Sequence, residues 1–195
     1  MGYNFFAMMS RMKYIERWAL MRNSRPENIS EHSLEVSMIA HGIAVIANKR
    51  FGKNINAEKV ALIALYHDAP EIITGDMPTP VKYYNSDIKG AYKQVEEVAC
   101  NRLLNMLPKD LREEYENLFI KKDEDEYLWK IVKAADKISA LIKCIEEENA
   151  GNSEFVSAQM TLRKAVDQID MEEVKEFMKE FMPSFGMTLD ELQYS

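Results

Sequence analysis

Three histidines occur in the 195-residue chain: His32, His41 and His67. His67 is followed directly by Asp68, and the pair closes the most apolar stretch of the sequence, Val60-Ala61-Leu62-Ile63-Ala64-Leu65-Tyr66. A His-Asp dipeptide arises easily by chance. Two polar groups delivered at the end of a buried segment must nevertheless be paired or bound to a metal. Successive helical residues point about 100° apart, so His67 and Asp68 can share a partner only where a helix ends on a cavity. A divalent cation is one such partner; a hydrogen-bonded core histidine beside a solvated aspartate is the other reading.

Two further ligands would complete a set of two imidazoles and two carboxylates. His32 falls in the first turn of a helix capped by Ser30, with Ser33 where a capping box would want Glu. Asp136 lies mid-helix, within about 40° of Trp129, Val132 and Ala140, and so on a half-buried face. His41 is an internal control. Nine residues beyond His32 it is rotated by about 900°, half a turn away, and cannot join a site on the His32 face.

The elements that must position these residues read as helices. Seven glycines and six prolines cluster between segments of helical periodicity, and nothing alternates with period two over more than four residues. The spacing predicts helices at about 4–22, 30–50, 57–69, 86–107, 111–119, 123–149, 153–169 and 171–182, and a capping pattern, Thr188 to Glu191, opens a last short one. Gly52 stops the second helix and Asn56 caps the third. Gly75-Asp76-Met77-Pro78-Thr79-Pro80 is expected to be loop throughout, because its prolines remove donors and fix the backbone. The expectation is an all-α bundle of about six to eight helices forming a single domain over residues 1–195.

Composition narrows the partners. With 25 Lys and Arg against 32 Asp and Glu the net charge is −7, and no basic face is available for a nucleic-acid polymer. The longest apolar run, Val60 to Tyr66, falls far short of the roughly 20 residues that cross a bilayer. Cys100 and Cys144, in a chain with no apolar leader, are expected to be reduced buried thiols of a cytoplasmic protein. There is no GxGxxG and no GxxxxGK, so phosphate chemistry would need side chains and metal. Met8, Met9 and Met12, and the set Phe177, Met178, Phe181 and Met182, are expected to be core or interface packing.

His32, His67-Asp68 and Asp136, in that order on helices, resemble the metal signature of HD-domain phosphohydrolases. The blocks Glu16-Arg17-Trp18-Ala19-Leu20-Met21-Arg22-Asn23, Asn28-Ile29-Ser30-Glu31-His32-Ser33-Leu34, Tyr66-His67-Asp68-Ala69 and Gly75-Asp76-Met77-Pro78-Thr79-Pro80-Val81-Lys82-Tyr83 are similar to the bacterial 5′-deoxynucleotidases. The likeness continues through Ala150-Gly151-Asn152 and Pro183-Ser184-Phe185. Pro70 replaces a small polar residue and leaves the placing of Glu71 open; Met77 replaces Leu with little change in volume.

The resemblance implies one divalent ion held by His32, His67, Asp68 and Asp136, with Co²⁺ or Mn²⁺ preferred and Zn²⁺, Fe²⁺ or Cu²⁺ acceptable. It implies a homodimer that hydrolyses deoxyribonucleoside 5′-monophosphates, binding them through Arg17, Trp18, Asp68, Asp76, Met77, Pro78, Thr79 and Asp136. Glu71, Asp68 and Arg17 would be catalytic. Two neutral imidazoles and two carboxylates leave the ion's site about neutral, so phosphate needs a further cation: Arg17, with Lys82 a weaker choice. Trp18, about 100° further round the first helix, would pack on the sugar and reject a 2′-hydroxyl, and Asp76 would accept from the 3′-hydroxyl. Without the resemblance, Arg17 reads as a solvated helix residue, Trp18 as core, Glu71 as a helix-end carboxylate and Asp76 as a turn former. Another HD phosphohydrolase, acting on triphosphates or other phosphoesters, and an idle nucleotide-binding HD domain are the alternatives.

Overall fold

Asn28, not Ser30, starts the helix that carries His32. Its side chain accepts from the backbone N–H of Ser30 and Glu31, and the Glu31 carboxylate returns to the Asn28 N–H, a complete capping box. The sequence pattern puts the cap two residues late because Ser30 is an equally good cap by type; Ile29 is fully buried and already helical. The computed structural model describes residues 2–194 apart from Tyr83, and at Thr79 the backbone alone.

In chain order the helices are α1 (Phe5–Met9), α2 (Ile29–Phe51), α3 (Ala57–Tyr66), α4 (Glu71–Thr74), α5 (Thr79–Lys82), α6 (Ser86–Leu104), α7 (Lys109–Phe119), α8 (Glu126–Asn149), α9 (Val156–Asp167), α10 (Glu172–Glu180) and α11 (Leu189–Tyr194). Short 3₁₀ turns at Ser10–Tyr14, Asp123–Asp125, Ser153–Phe155 and Met182–Gly186 join or extend them. Among the described residues there is no strand, only one isolated bridge between Glu16 and Asn28. The all-α expectation holds. Among the described residues the helices α2, α3, α6, α7, α8, α9 and α10 have nine residues or more, within the range anticipated, and the short ones add to them.

Helix α2 is central, packed between α3, α8 and α10. Val36, Ile39 and Ile43 of α2 meet Val60 and Ile63 of α3, Ile131, Ile138 and Leu141 of α8, and Val174 and Phe177 of α10. These sit at three- and four-residue spacings, which put them on one face of each helix. A second apolar cluster, with Phe5, Met12, Leu103, Leu104, Leu107 and Phe119, seats the N-terminal segment against α6 and α7. Met8, Met9 and Met178 pack on these clusters as expected, whereas Phe181 is exposed. Cys100 and Cys144 are free thiols; burial pushes Cys100 up to about 11 and Cys144 up to about 12. Among the described residues no helix is long and apolar enough to cross a membrane.

The expected first helix over 4–22 is wrong. Helical spacing does continue through Ile15 and Ala19, but the chain leaves the helix after Tyr14. Ile15 turns extended, Arg17 N–H donates to the Glu27 carbonyl at 2.8 Å, and Ile29 N–H donates to the Ile15 carbonyl at 3.0 Å. This antiparallel contact satisfies the backbone groups that the broken helix releases. The third helix ends at Tyr66 rather than Ala69, and a helical turn over Thr79–Lys82 overlaps the end of the expected loop, its first N–H groups needing no partner where proline sits. The Asn56 cap, the left-handed Gly52 stop at φ 64° and the Thr188 cap of α11 are as expected.

Candidate metal centre and nucleotide pocket

Helix α3 ends on the site as the apolar run requires. His67 is its C-cap, and the chain turns through Asp68 to Pro70 before α4 begins at Glu71. Nδ1 of His67 donates to the Ala64 carbonyl at 2.6 Å, which turns Nε2 toward the site as the nitrogen available to a ligand. That Nε2 is buried, has no hydrogen-bond partner among the described residues and lies 3.2 Å from Asp68 Oδ1. An imidazole nitrogen and a carboxylate oxygen this close need a shared proton or a cation between them.

His32 approaches from α2 with its ring fully buried, its centroid 5.4 Å from that of His67. Its Nε2 faces Asp136 Oδ1 at 3.1 Å and Asp68 Oδ2 at 3.5 Å. Its Nδ1 lies 3.0 Å from Ser139 Oγ, whose hydroxyl donates to Glu35 Oε2. Candidate ligand atoms of His32, His67 and Asp68 all lie within 4.8 Å of one another. Asp136 stands outside that tight trio and joins it through His32. Burial opposes ionisation of Asp136, but the His32 hydrogen bond, with His67 and Arg17 nearby, holds its carboxyl well below the usual range. Two imidazoles and the Asp68 carboxylate, with Asp136 beside His32, fit a divalent ion.

Beside this cluster, burial works against the charge on Arg17, but Asp68, Glu27, Asp136 and Asp76 together keep it firmly protonated. Its Nε donates to Glu27 Oε2 at 3.1 Å and its Nη1 reaches Asp68 Oδ2 at 3.5 Å. The Trp18 indole donates to the same Glu27 Oε2 at 2.9 Å and its ring stacks obliquely on Phe155, 5.4 Å between centroids. Trp18 has φ 60°, a left-handed conformation that costs a bulky residue roughly 1–2 kcal/mol. It is therefore not a step round a helix from Arg17, as the sequence spacing implied. The two adjacent side chains meet on one Glu27 oxygen because the backbone between them turns.

Asp76 accepts from the Trp18 backbone N–H; burial raises its carboxyl, with Arg17 opposing. Glu71 is buried at the start of α4, with Oε2 unpartnered among the described residues. Burial first, then the charges of Asp68 and Asp76, push it up to about 9, against the pull of Arg17 and Lys82. Pro70 thus leaves Glu71 turned inward. Met77 and Pro78 are partly buried in the same loop, and the Thr79 side chain lies outside the described residues. The Lys82 ammonium donates to Glu96 at 2.8 Å over the Tyr92 ring and lies within electrostatic reach of Glu71. His41 is exposed on the opposite side of α2.

A family-wide sequence comparison matches residues 4–185 to the family described as 5′-deoxynucleotidase YfbR-like. The chain belongs to this family. Relatives named 5′-deoxynucleotidase from Erwinia tasmaniensis and Yersinia pestis are 50% and 48% identical over 189 residues, covering 97% of this chain and 96% of each relative. An HD-domain phosphohydrolase from Listeria innocua superposes with a TM-score of 0.81 at 26% identity, covering 95% of this chain and 90% of that one. A cyanophage S-2L HD phosphohydrolase, solved with dA and one catalytic Zn²⁺ ion, shares the fold with a TM-score of 0.64 at 21% identity over 93% of this chain and 96% of that one.

Within this YfbR-like chain, sequence reasoning missed Glu27, which ties Arg17 to Trp18, and the Ser139–Glu35 pair behind His32. Glu27 carried no local signal, because its partners meet it only through the extended contact of Arg17 with its carbonyl. Ser139 did carry one: it follows Asp136 by three residues and so shares its helix face. Glu147, between the exposed Glu146 and Glu148, is buried and accepts from Ser24 N–H, Arg25 N–H, the Asn152 amide and Lys143.

Proposed function

We propose that residues 1–195 act as a single-domain, metal-dependent 5′-deoxynucleotidase that hydrolyses deoxyribonucleoside 5′-monophosphates to deoxynucleoside and phosphate. Family membership supports the reaction. The observation that carries the site is the buried Nε2 of His67, without a hydrogen-bond partner among the described residues and grouped with His32 and Asp68 ligand atoms within 4.8 Å. On this reading His32, His67, Asp68 and Asp136 hold one divalent ion, Co²⁺ or Mn²⁺ in preference to Zn²⁺, Fe²⁺ or Cu²⁺. When bound, the ion supplies a water of lowered pKa and positive charge for the phosphate oxygens.

The chain's own groups do the rest. Arg17 gives Nε to Glu27 and reaches Asp68 with Nη1, so Nη2 is the nitrogen offered to phosphate. Asp68 accepts the proton of the attacking water. Glu71, whose burial favours the protonated carboxyl, gives its proton to the departing 5′-oxygen. The Trp18 indole, held by Glu27 and Phe155, packs on the sugar and leaves a 2′-hydroxyl without a partner. Asp76 keeps an oxygen for the 3′-hydroxyl while Met77, Pro78 and Thr79 wall the pocket.

The same reading makes the protein a cytoplasmic homodimer that binds neither membranes nor nucleic-acid polymers. Its charge of −7 supports the last point, and an exposed apolar stripe on α2, Leu34, Met38 and Val45, on the side opposite His32, supports a subunit contact. Phosphate release from deoxy- and ribonucleoside mono- and triphosphates, with and without Mn²⁺ or Co²⁺, tests the whole. Metal-dependent turnover confined to deoxy monophosphates is expected; triphosphate turnover, or none with any metal, overturns it.

A further inference from the structure

Both ends of the Gly75 to Val81 loop come to rest on one side chain of α6. Thr74, the last residue of α4, meets the Tyr92 hydroxyl through Oγ1 at 3.3 Å. Lys82, the last residue of α5, sets its ammonium over the Tyr92 ring, 4.7 Å from the centroid, and donates to Glu96, one turn further along α6, at 2.8 Å. That distance is within the range of a cation–π contact. Tyr92 is buried and shares the inner face of α6 with Ala99 and Leu103 at helical spacing. A leucine there would fill the space but supply neither the hydroxyl nor the ring face.

The loop between these ends is poorly equipped to hold itself. Pro78 and Pro80 have no N–H to donate, and Gly75 stands at φ 74°, where the absence of a Cβ leaves the backbone mobile. The Gly75 N–H bond to the Glu71 carbonyl, and those of Val81 and Lys82 to the Pro78 carbonyl, close the loop's two ends. At its middle Asp76 accepts from the Trp18 N–H. Fixing where a short loop starts and stops removes much of the freedom of the residues between. We propose that Tyr92 is a positioning residue for the nucleotide loop: its hydroxyl holds the Thr74 end and its ring the Lys82 end, so that Asp76, Met77 and Pro78 stand ready for the nucleotide. This inference rests on the pocket reading above, in which those residues wall the sugar. A loop ordered beforehand does not have to be ordered on binding. Glu71, Arg17 and the proposed metal ligands lie outside it, so loss of the bracket falls on KM and not on kcat.

The test joins steady-state kinetics on a deoxynucleoside monophosphate with Mn²⁺ to amide hydrogen exchange of the substrate-free protein. Tyr92→Phe loses the hydroxyl and keeps the ring; Tyr92→Leu loses both. Tyr92→Leu is expected to raise KM by about 2–30-fold, the worth of a cation–π contact, with kcat little changed, and Tyr92→Phe to raise it less. Exchange over residues 75–82 should quicken in the same order while that of α2 stays as in wild type. Thr74→Val should add nothing to Tyr92→Phe, because the two changes remove one contact. Glu96→Gln, which loosens Lys82 from the surface of α6 without touching the core, should also raise KM and loop exchange, and it decides the matter if Tyr92→Leu does not fold. Loop exchange that matches wild type in these variants, or a loss confined to kcat, overturns the inference. Asp76→Ala separates the two failures. If it raises KM while the Tyr92 and Glu96 variants do not, the bracket falls alone; if KM is unmoved in all of them, the pocket reading falls and takes this inference with it.

Discussion

The Trp18 indole donates to Glu27 Oε2 at 2.9 Å, and on the same oxygen Glu27 also receives Arg17 Nε at 3.1 Å. One carboxylate thus sets the distance between the group proposed to hold phosphate and the group proposed to face the sugar. Glu27→Ala is expected to lower kcat/KM for deoxynucleoside monophosphates by about 100-fold, as for a misplacement of roughly 1 Å, and to reduce the deoxy-over-ribo ratio. Glu27→Gln, which keeps an acceptor, should fall between. Steady-state kinetics on a deoxy and ribo substrate pair checks this; an unaltered ratio in Glu27→Ala would show that the indole needs no such anchor.

Alanine at His32, His67 or Asp68 should cost Mn²⁺ affinity at least the 10–100-fold typical of losing even an outer partner. His41→Ala should leave affinity and turnover unchanged, because His41 is exposed on the far side of α2. Titration calorimetry of the four variants separates the two groups. A His41 variant that lost metal as severely as the others would contradict the assignment.

Glu71 binds its proton more tightly folded than unfolded, with its carboxyl pushed up to about 9. Its contribution is therefore fully present below the ordinary carboxylate range and is lost as pH rises toward about 9. The Tm of the metal-free wild type should fall across that window, and Glu71→Gln, which cannot ionise, should flatten the decline while abolishing turnover. Parallel thermal melts of both proteins decide it: equal slopes would mean the proton is not held at Glu71.

Glu147 clamps the loop that bears Arg17, Trp18 and Glu27 by accepting from the Ser24 and Arg25 backbone at 2.8 and 3.2 Å, with Lys143 as its buried counter-ion. Glu147→Ala strands the Lys143 charge and should cost about 3–5 kcal/mol of stability. Pairing Glu147→Leu with Lys143→Met should restore much of that loss but not the activity, since the loop amides stay unclamped. Denaturant melts beside kinetics test the separation, and full activity in the double variant would remove Glu147 from any positioning role.

The α-helical class, the caps at Asn56 and Thr188, the stop at Gly52 and the sidedness of His32 against His41 were all decided by the sequence alone. Each depends on contacts within about one turn of chain or on a fixed rotation per residue. The tertiary structure decided what local spacing could not. The chain leaves its helix after Tyr14 because Arg17 and Ile29 find backbone partners across the loop, and a periodicity that runs on through Ala19 carries no trace of that pairing. Glu147 looks like its solvated neighbours until the Ser24 and Arg25 amides arrive on it. Nε2 of His67 acquires its meaning only when His32 and Asp68 oxygens and nitrogens crowd the same buried spot, for the closeness of ligand atoms is a property of positions in space and not of order along a chain.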